Sequence, residues 1–430
     1  MGWLNNIVPS ARTRYRKNFL MLTSTIAFLM PLYPRVVPML IALLVINWLV
    51  GSDFRGAFRQ LQENSQKRKL LLFPLFYLLY VAGLSYSENF GYAFFDLEVK
   101  LSLLLFPLIF IFSPWPLFLK DEWETPLKAF VAGCLTSSVV FLVRATVEYV
   151  LEPDHEAFLY SRLSWYIHPS YLSMYYNLAI FVIYFAIASG GGDLLTRKYL
   201  LLFFAALFLM WMILLLTSKA GLITLVVLWL GLPFLWWLNT GWRRMMPVLL
   251  ITIVIFLITG SFLAPLIFDR FAEIDTMMEK DRKERVETNS TGDRLVAWAA
   301  SAELIRENPW FGVGTGDVKD ALVEKYRSGN AIPALKNRLN AHNQYLQTTV
   351  TLGVAGLSVL LLMLVLPAIY ALRRQKWIYL FFLVIFSLNM LVESMLEVQA
   401  GVVFYAFFNM LFLADEKKGD WSPNPLSGQH

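Results

Sequence analysis

AHNQYLQTTVTLGVAGLSVLLLMLVLPAIYALRR, residues 341–374, contains no Asp, Glu, Lys or Arg between His342 and Arg373. About 20 apolar residues suffice to cross the ~30 Å hydrocarbon core of a bilayer as one helix. This run exceeds that length, with a histidine at one mouth and arginines at the other. Comparable runs recur along the 430-residue chain, and predict helices over 18–33, 35–51, 70–87, 101–119, 127–150, 170–189, 199–217, 220–239, 246–268, 342–372, 377–394 and 397–414. The composition agrees: 57% of residues are hydrophobic and only 16% charged, against about 25% charged in soluble domains. The expected fold is an all-α polytopic membrane protein of about twelve transmembrane helices. Residues 1–17 are polar and basic with no cleavage pattern, so the first apolar run should stay as a helix.

The basic loops fix an orientation. RTRYRK near the N-terminus, Arg55, Arg59 and the KRK at 67–69, TRK at 196–198, Arg243–Arg244, RRQK at 373–376 and Lys417–Lys418 all fall on one side. By the positive-inside rule that side is cytoplasmic, with both termini on it. The net charge of +6 is thereby explained without nucleic acid. The opposite side carries acidic or mixed connections at 87–100 and 151–170, and one large loop from 269 to 341. That loop holds 13 acidic and 12 basic residues. DRLVAWAASAELIREN (293–308) has helical periodicity and TGDVKDALVEKYRSG a second short helix, so a small helical periplasmic subdomain is expected between the ninth and tenth spans. The division is residues 1–268 for helices 1–9, 269–341 for this subdomain, 342–414 for helices 10–12 and 415–430 for a cytoplasmic tail. A single cysteine, Cys134, excludes an internal disulfide and a cysteine-based metal site. No zinc-type spacing occurs, and GVGTGD follows no predicted strand, so neither a metal, a dinucleotide nor any other cofactor is expected.

Ionisable groups near a bilayer are costly and mark function by default. The topology gathers Lys219, Arg162, His168, Arg294, His342, Glu393 and Glu397 at one membrane face. With 342–372 as a continuous helix at 100° per residue, Gly353 lies about 20° from the line of His342 and Gly356 about 40° to the other side. His342 then tops a face bare of side chains, where another helix or a lipid tail approaches closely. In the first turn it would feel the positive end of the helix dipole, which keeps the imidazole neutral and able to accept a proton. Asn340 or Asn343 is placed to cap that turn. Arg162 and His168 offer a further basic contact to phosphate or sugar. Glu393 and Glu397, read as one helical turn apart, are placed to bind sugar hydroxyls.

HN, nine residues, Gly353, two residues and Gly356 resembles the H-[NSQ]-x9-G-x-x-[GTY] pattern of the O-antigen ligase (Wzy-C) family. RLVAWAASAELIRENPWFGVGTGD is similar to that family's R-x-x-x-W…P-x-x-G-x-G block, here Arg294, Trp298, Pro309, Gly312, Gly314 and Gly316. TSKAGLITL resembles its S-R-G/A-x-x-L helix start, with Lys219 where arginine is usual. The resemblance spans about residues 210–400. It implies a metal-independent membrane glycosyltransferase of the GT-C type in the bacterial inner membrane. The donor would be a glycan on undecaprenyl pyrophosphate, the acceptor a hydroxyl of lipid A-core, and the site would face the periplasm. His342 would be the general base, with Arg294, Lys219 and Arg162 binding pyrophosphate. Asn343, His168, Glu393, Glu397, Gly353 and Gly356 would shape the site or hold sugar.

Two relatives in function compete: a Wzy-type O-antigen or exopolysaccharide polymerase and a protein O-oligosaccharyltransferase. None of the arginines in the outward-facing segments has glycine eleven residues later, as the polymerase R-x10-G motif requires, and no long C-terminal extension follows. A twelve-helix secondary transporter is the rival from another class. It is disfavoured by the lack of a half-to-half repeat and by basic groups at one face rather than at the midplane.

Overall fold

A computed structural model describes residues 2–52, 54–63, 70–113, 118, 122–190, 193–238, 245–272 and 290–414. The helices, in chain order, are α1 (Gly2–Leu29), α2 (Val37–Gly51), α3 (Phe54–Glu63), α4 (Leu72–Gly83), α5 (Phe90–Lys100), α6 (Ser102–Phe112), α7 (Glu124–Leu151), α8 (Tyr160–Ser164) and α9 (Pro169–Ser189). They continue as α10 (Arg197–Leu215), α11 (Lys219–Leu238), α12 (Met245–Ala272), α13 (Ser290–Glu307), α14 (Val318–Ser328), α15 (Ile332–Asn337), α16 (Gln344–Arg373), α17 (Trp377–Met390) and α18 (Gln399–Ala414). No strand occurs among the described residues.

Five helical segments among the described residues are long and apolar enough to cross a membrane by length and composition: Pro34–Gly51, Glu124–Leu151, Pro169–Ser189, Arg197–Leu215 and Gln344–Arg373. Six further apolar helices are shorter, among them Ser102–Phe112 and Trp377–Met390. The expected tail at 415–430 and part of the expected loop, 273–289, lie outside the described residues.

Burial sorts the helices into layers. α9 is buried along nearly its whole length, as is α18 from Gly401 to Phe412, and both belong to one large apolar core with α17. Around them α2, α7, α12 and α16 turn outward rows of aliphatic side chains, such as Val139, Val143 and Val147 on α7. A helix apolar on every face belongs in a protein core or in lipid; α9 and α18 lie in the core, and the outward aliphatic rows are of the composition that suits lipid.

A second, smaller core joins α13 (Ala297, Ala300, Leu304), α14 (Val318, Leu322, Tyr326), Ala334 of α15 and Val350 of α16. The link between the two cores is a break in α16. Gly353 has φ 64° and ψ −161°, so the helix is two segments, meeting at that residue. Freed by the break, the Val350 and Thr351 carbonyls accept the Val313 and Gly314 N–H groups at 2.8 and 3.0 Å, while Val354 N–H donates to the Pro309 carbonyl at 2.8 Å. The Pro309–Gly316 stretch is in turn bound to the end of α4 and the start of α5. Thr315 Oγ1 donates to the Tyr80 carbonyl at 2.7 Å, and the Asp317 carboxylate accepts the Glu88 and Asn89 N–H groups.

This corrects the reading of the two glycines. A continuous-helix angle does not apply past Leu352, and what approaches Gly353 is the loop, not a second helix. A β-carbon there would lie 2.2 Å from the Trp310 carbonyl carbon and oxygen. At Gly356 it would meet the Leu352 side chain at 2.4 Å, brought in by the bend. Gly353→Ala should therefore cost about 3 kcal/mol or more, since the strained dihedral alone is worth about 1–3 kcal/mol. In α12, Gly260 has nothing within 4 Å of its virtual β-carbon, so Gly260→Ala is the matched control. Thermal midpoints of the two purified variants in detergent check this; equal midpoints would refute the account of the break.

Candidate active site

The sequence places His342 in a helical first turn; the structure places it just before one. α16 starts at Gln344, and His342 has φ 45°. Asparagines on both sides hold it there. Asn340 Oδ1 accepts the His342 N–H at 2.9 Å, in the manner of an Asx turn. Asn343 is the N-cap, its Oδ1 accepting the Leu346 N–H at 3.1 Å. The other end of that amide, Nδ2, donates to the Leu391 carbonyl at 3.0 Å, which ties the start of α16 to the chain leaving α17. The helix dipole thus acts on His342 from outside the helix, more weakly than a first-turn position would allow.

α17 stops at Met390, and only a short 3₁₀ turn, Met395–Glu397, separates it from α18. Glu393 lies in this non-helical stretch. One of its oxygens, Oε1, is 3.1 Å from His342 Nδ1, and the other, Oε2, is 3.6 Å from Arg294 Nη2. Arg294 reaches it from the first turns of α13, steadied by a 2.9 Å bond from Nε to the Val392 carbonyl. A single buried carboxylate therefore bridges the histidine and the arginine. Burial pushes the Glu393 carboxyl up, but its bond to His342 and the charges of His342, His168 and Arg294 hold it below the usual carboxylate range.

His168 completes the cluster as the N-cap of α9, its Nδ1 accepting the Ser170 N–H at 3.4 Å. Burial is the main cause that holds its imidazole below the usual histidine range, and Arg294 and His342 add to it against the pull of Glu393. Asp293, not singled out in the sequence, stands at the same place: burial raises its carboxyl, partly offset by His342 and Arg294.

Lys219 opens α11, where Ser218 Oγ accepts the Gly221 N–H at 3.2 Å. The Gly221 carbonyl accepts Asn177 Nδ2 of α9 at 3.0 Å, and Thr224 Oγ1 accepts Asn389 Nδ2 of α17 at 3.1 Å. These contacts put the Lys219 end of α11 level with the ends of α9 and α17 that carry His168 and Glu393.

Arg162 goes elsewhere. It binds Glu148 at 2.7 Å, Asp154, and Glu156 at 3.8 Å, and Arg144 joins the same network through Glu148 at 2.5 Å. The short segment that carries Arg162 also carries two of these acids, so its guanidinium meets carboxylates of its own neighbourhood first. Glu397 is likewise diverted. Its Oε2 is 3.1 Å from Lys100 Nζ and its Oε1 accepts Gln344 Nε2 at 3.3 Å. Because α17 has already ended, Glu393 and Glu397 do not share a helix face and bind different partners, both largely buried. Lys100 is fully buried and was not singled out in the sequence. The available signal was FDLEVK, an Asp96–Lys100 pair at i, i+4 ahead of an apolar run, where a loop had been expected.

No curated protein matches the chain. Residues 204–361 match the family model described as Wzy_C, O-Antigen ligase, and this match takes in Lys219, Arg294, His342, Gly353 and Gly356, so this part of the chain is similar to the O-antigen ligase family.

Proposed function

We propose that the protein is a glycosyltransferase that moves a glycan from undecaprenyl pyrophosphate to a hydroxyl of lipid A-core. The observation that carries this reading is the Glu393 carboxylate held between His342 Nδ1 and Arg294 Nη2, in a chain of which residues 204–361 are similar to the O-antigen ligase family. With Nδ1 turned to the carboxylate, that nitrogen carries the proton and Nε2 is left to accept one. The acceptor hydroxyl gives its proton to Nε2 as its oxygen bonds to the anomeric carbon. The bond from that carbon to the phosphate oxygen breaks, and undecaprenyl pyrophosphate leaves with the electron pair. Glu393 stabilises the imidazolium formed on the way. Arg294 and Lys219 offset the charge on the leaving group, in a metal-independent reaction; Lys219 does so as a point charge without the guanidinium fork. Asn343 and His168 set the walls of the site.

In this reading the chain is a GT-C-type enzyme crossing the bacterial inner membrane about twelve times. Both termini are cytoplasmic, and α13–α15 lie in the periplasm as a subdomain. Deleting the protein from its host and resolving the lipopolysaccharide ladder tests it. We expect core without attached polymer, and lipid-linked polymer accumulating. Cores capped by single repeats would point to a polymerase instead, and an unchanged ladder would overturn both assignments.

A further inference from the structure

The buried Lys100 cluster takes no part in the chemistry above, yet it is bonded to the elements that carry the base. Lys100 Nζ lies 2.5 Å from Asp96 Oδ1, 3.1 Å from Glu397 Oε2 and 4.7 Å from the centre of the Tyr80 ring. Glu397 passes the contact to Gln344, and Gln344 Oε1 accepts the Leu396 N–H at 2.6 Å. Gln344 is the second residue after His342, and Glu397 the fourth after Glu393.

The start of α16 and the stretch 391–397 are therefore joined by successive rungs: Asn343 to the Leu391 carbonyl, His342 to Glu393, and Gln344 to Leu396 and Glu397. The middle rung is fastened to α13 through Arg294, and the last to α5, where Lys100 makes the fastening. The stretch 391–397 is held by short turns rather than a continued helix, with Glu393 N–H on the Asn389 carbonyl at 3.0 Å and Glu397 N–H on the Ser394 carbonyl at 3.1 Å, and the side-chain ties add to these in setting where Glu393 points. A buried ion pair is weak evidence for stability, since apolar side chains of the same volume usually do as well; its best-attested use is to specify register. Two carboxylates thus face one ammonium, and burial pushes the Asp96 carboxyl above the usual carboxylate range against the pull of Lys100.

We propose that Lys100 is a positioning residue for the His342–Glu393 pair, acting through Glu397 and Gln344. This rests on the reading of His342 as general base. The test is the double variant Lys100→Met/Glu397→Met, which removes the pair as a unit; Asp96, left without the ammonium, takes up a proton and strands no charge. Transfer would be measured in proteoliposomes from a synthetic polyprenyl-pyrophosphate-linked oligosaccharide to core lipopolysaccharide. Since a displacement of about 1 Å can cost about 10²-fold, kcat should fall about 10- to 100-fold with the donor KM changed less than about threefold. A purely structural role would lower yield and thermal midpoint while leaving kcat per folded molecule near that of the parent. A kcat within about threefold of the parent in folded protein overturns the proposal. Should the double variant fail to fold, Gln344→Met cuts the same rung from the other side with the ion pair intact, and the same loss of kcat is expected. His342→Ala, run in parallel, separates the two levels. If it stays active, the general-base reading fails and takes this one with it. If it is inactive while the Lys100 variants are fully active, only this one fails.

Discussion

His342→Ala should abolish detectable glycan transfer while the protein still inserts and folds. A positioned general base is worth about 10²–10⁴-fold, and without it the acceptor hydroxyl must lose its proton to water. The side chain is about a quarter exposed, stands outside the helix, and serves the fold chiefly through one bond to Glu393. Its backbone placement survives, because the Asn340 contact uses the main-chain N–H and Asn343 still caps α16. At φ 45° alanine bears much the same backbone strain that histidine already carries, since both have a β-carbon. The comparison is transfer rate per folded molecule, with folding judged by monodispersity and thermal midpoint in detergent. Full activity in a stably inserted His342→Ala protein would end the general-base assignment.

Arg294→Ala should lower transfer by about 10²-fold or more, the range seen when one charge-stabilising donor is removed from a transition state. It takes away the guanidinium 3.6 Å from the Glu393 carboxylate, together with the bond to the Val392 carbonyl. Losing that charge-assisted bond should lower stability by about 1–3 kcal/mol, a shift readable in the thermal midpoint. Arg294→Lys is the informative companion. Lysine keeps the charge but reaches one acceptor at a time, so it should recover only part of the rate. A rate for Arg294→Ala within about threefold of the parent would remove the pyrophosphate role.

Some of this architecture could be read from linear spacing. Apolar runs of 18 or more residues mark their helices without any partner, because a bilayer imposes length and composition on each span separately. The motif spacing picked out His342 and Arg294, which one carboxylate bridges, and Gly353, which lies at the break in α16 against the Pro309–Gly316 loop. The reason for the glycines was not legible. The φ and contacts of Gly353 depend on the Pro309–Gly316 loop, which comes about forty residues earlier and offers no periodic signal, and Gly356 is crowded by Leu352.

The carboxylates were misread for a related reason. Treating Glu393 and Glu397 as neighbours on one helix assumed that α17 ran on past Met390, and apolarity alone does not say where a helix stops. Arg162 looked like a member of the site because it is basic and near His168 in sequence, but charged side chains pair with the nearest opposite charge, here Glu148, Asp154 and Glu156. Lys100 is not legible for the converse reason: its partners Tyr80 and Glu397 lie elsewhere in the sequence, and only packing brings Glu397 Oε2 to 3.1 Å and the Tyr80 ring centre to 4.7 Å from its nitrogen.

Properties that each residue carries alone were therefore settled before any folding: which segments are apolar, which residues can accept protons or hold charge, and which glycines admit unusual backbone. Pairing needed the fold. The bridging of His342 and Arg294 by one carboxylate, the diversion of Arg162, and the burial of Lys100 are all choices among several like-charged candidates. Coulomb attraction and desolvation depend on separations of a few ångströms, and those separations are set by tertiary packing.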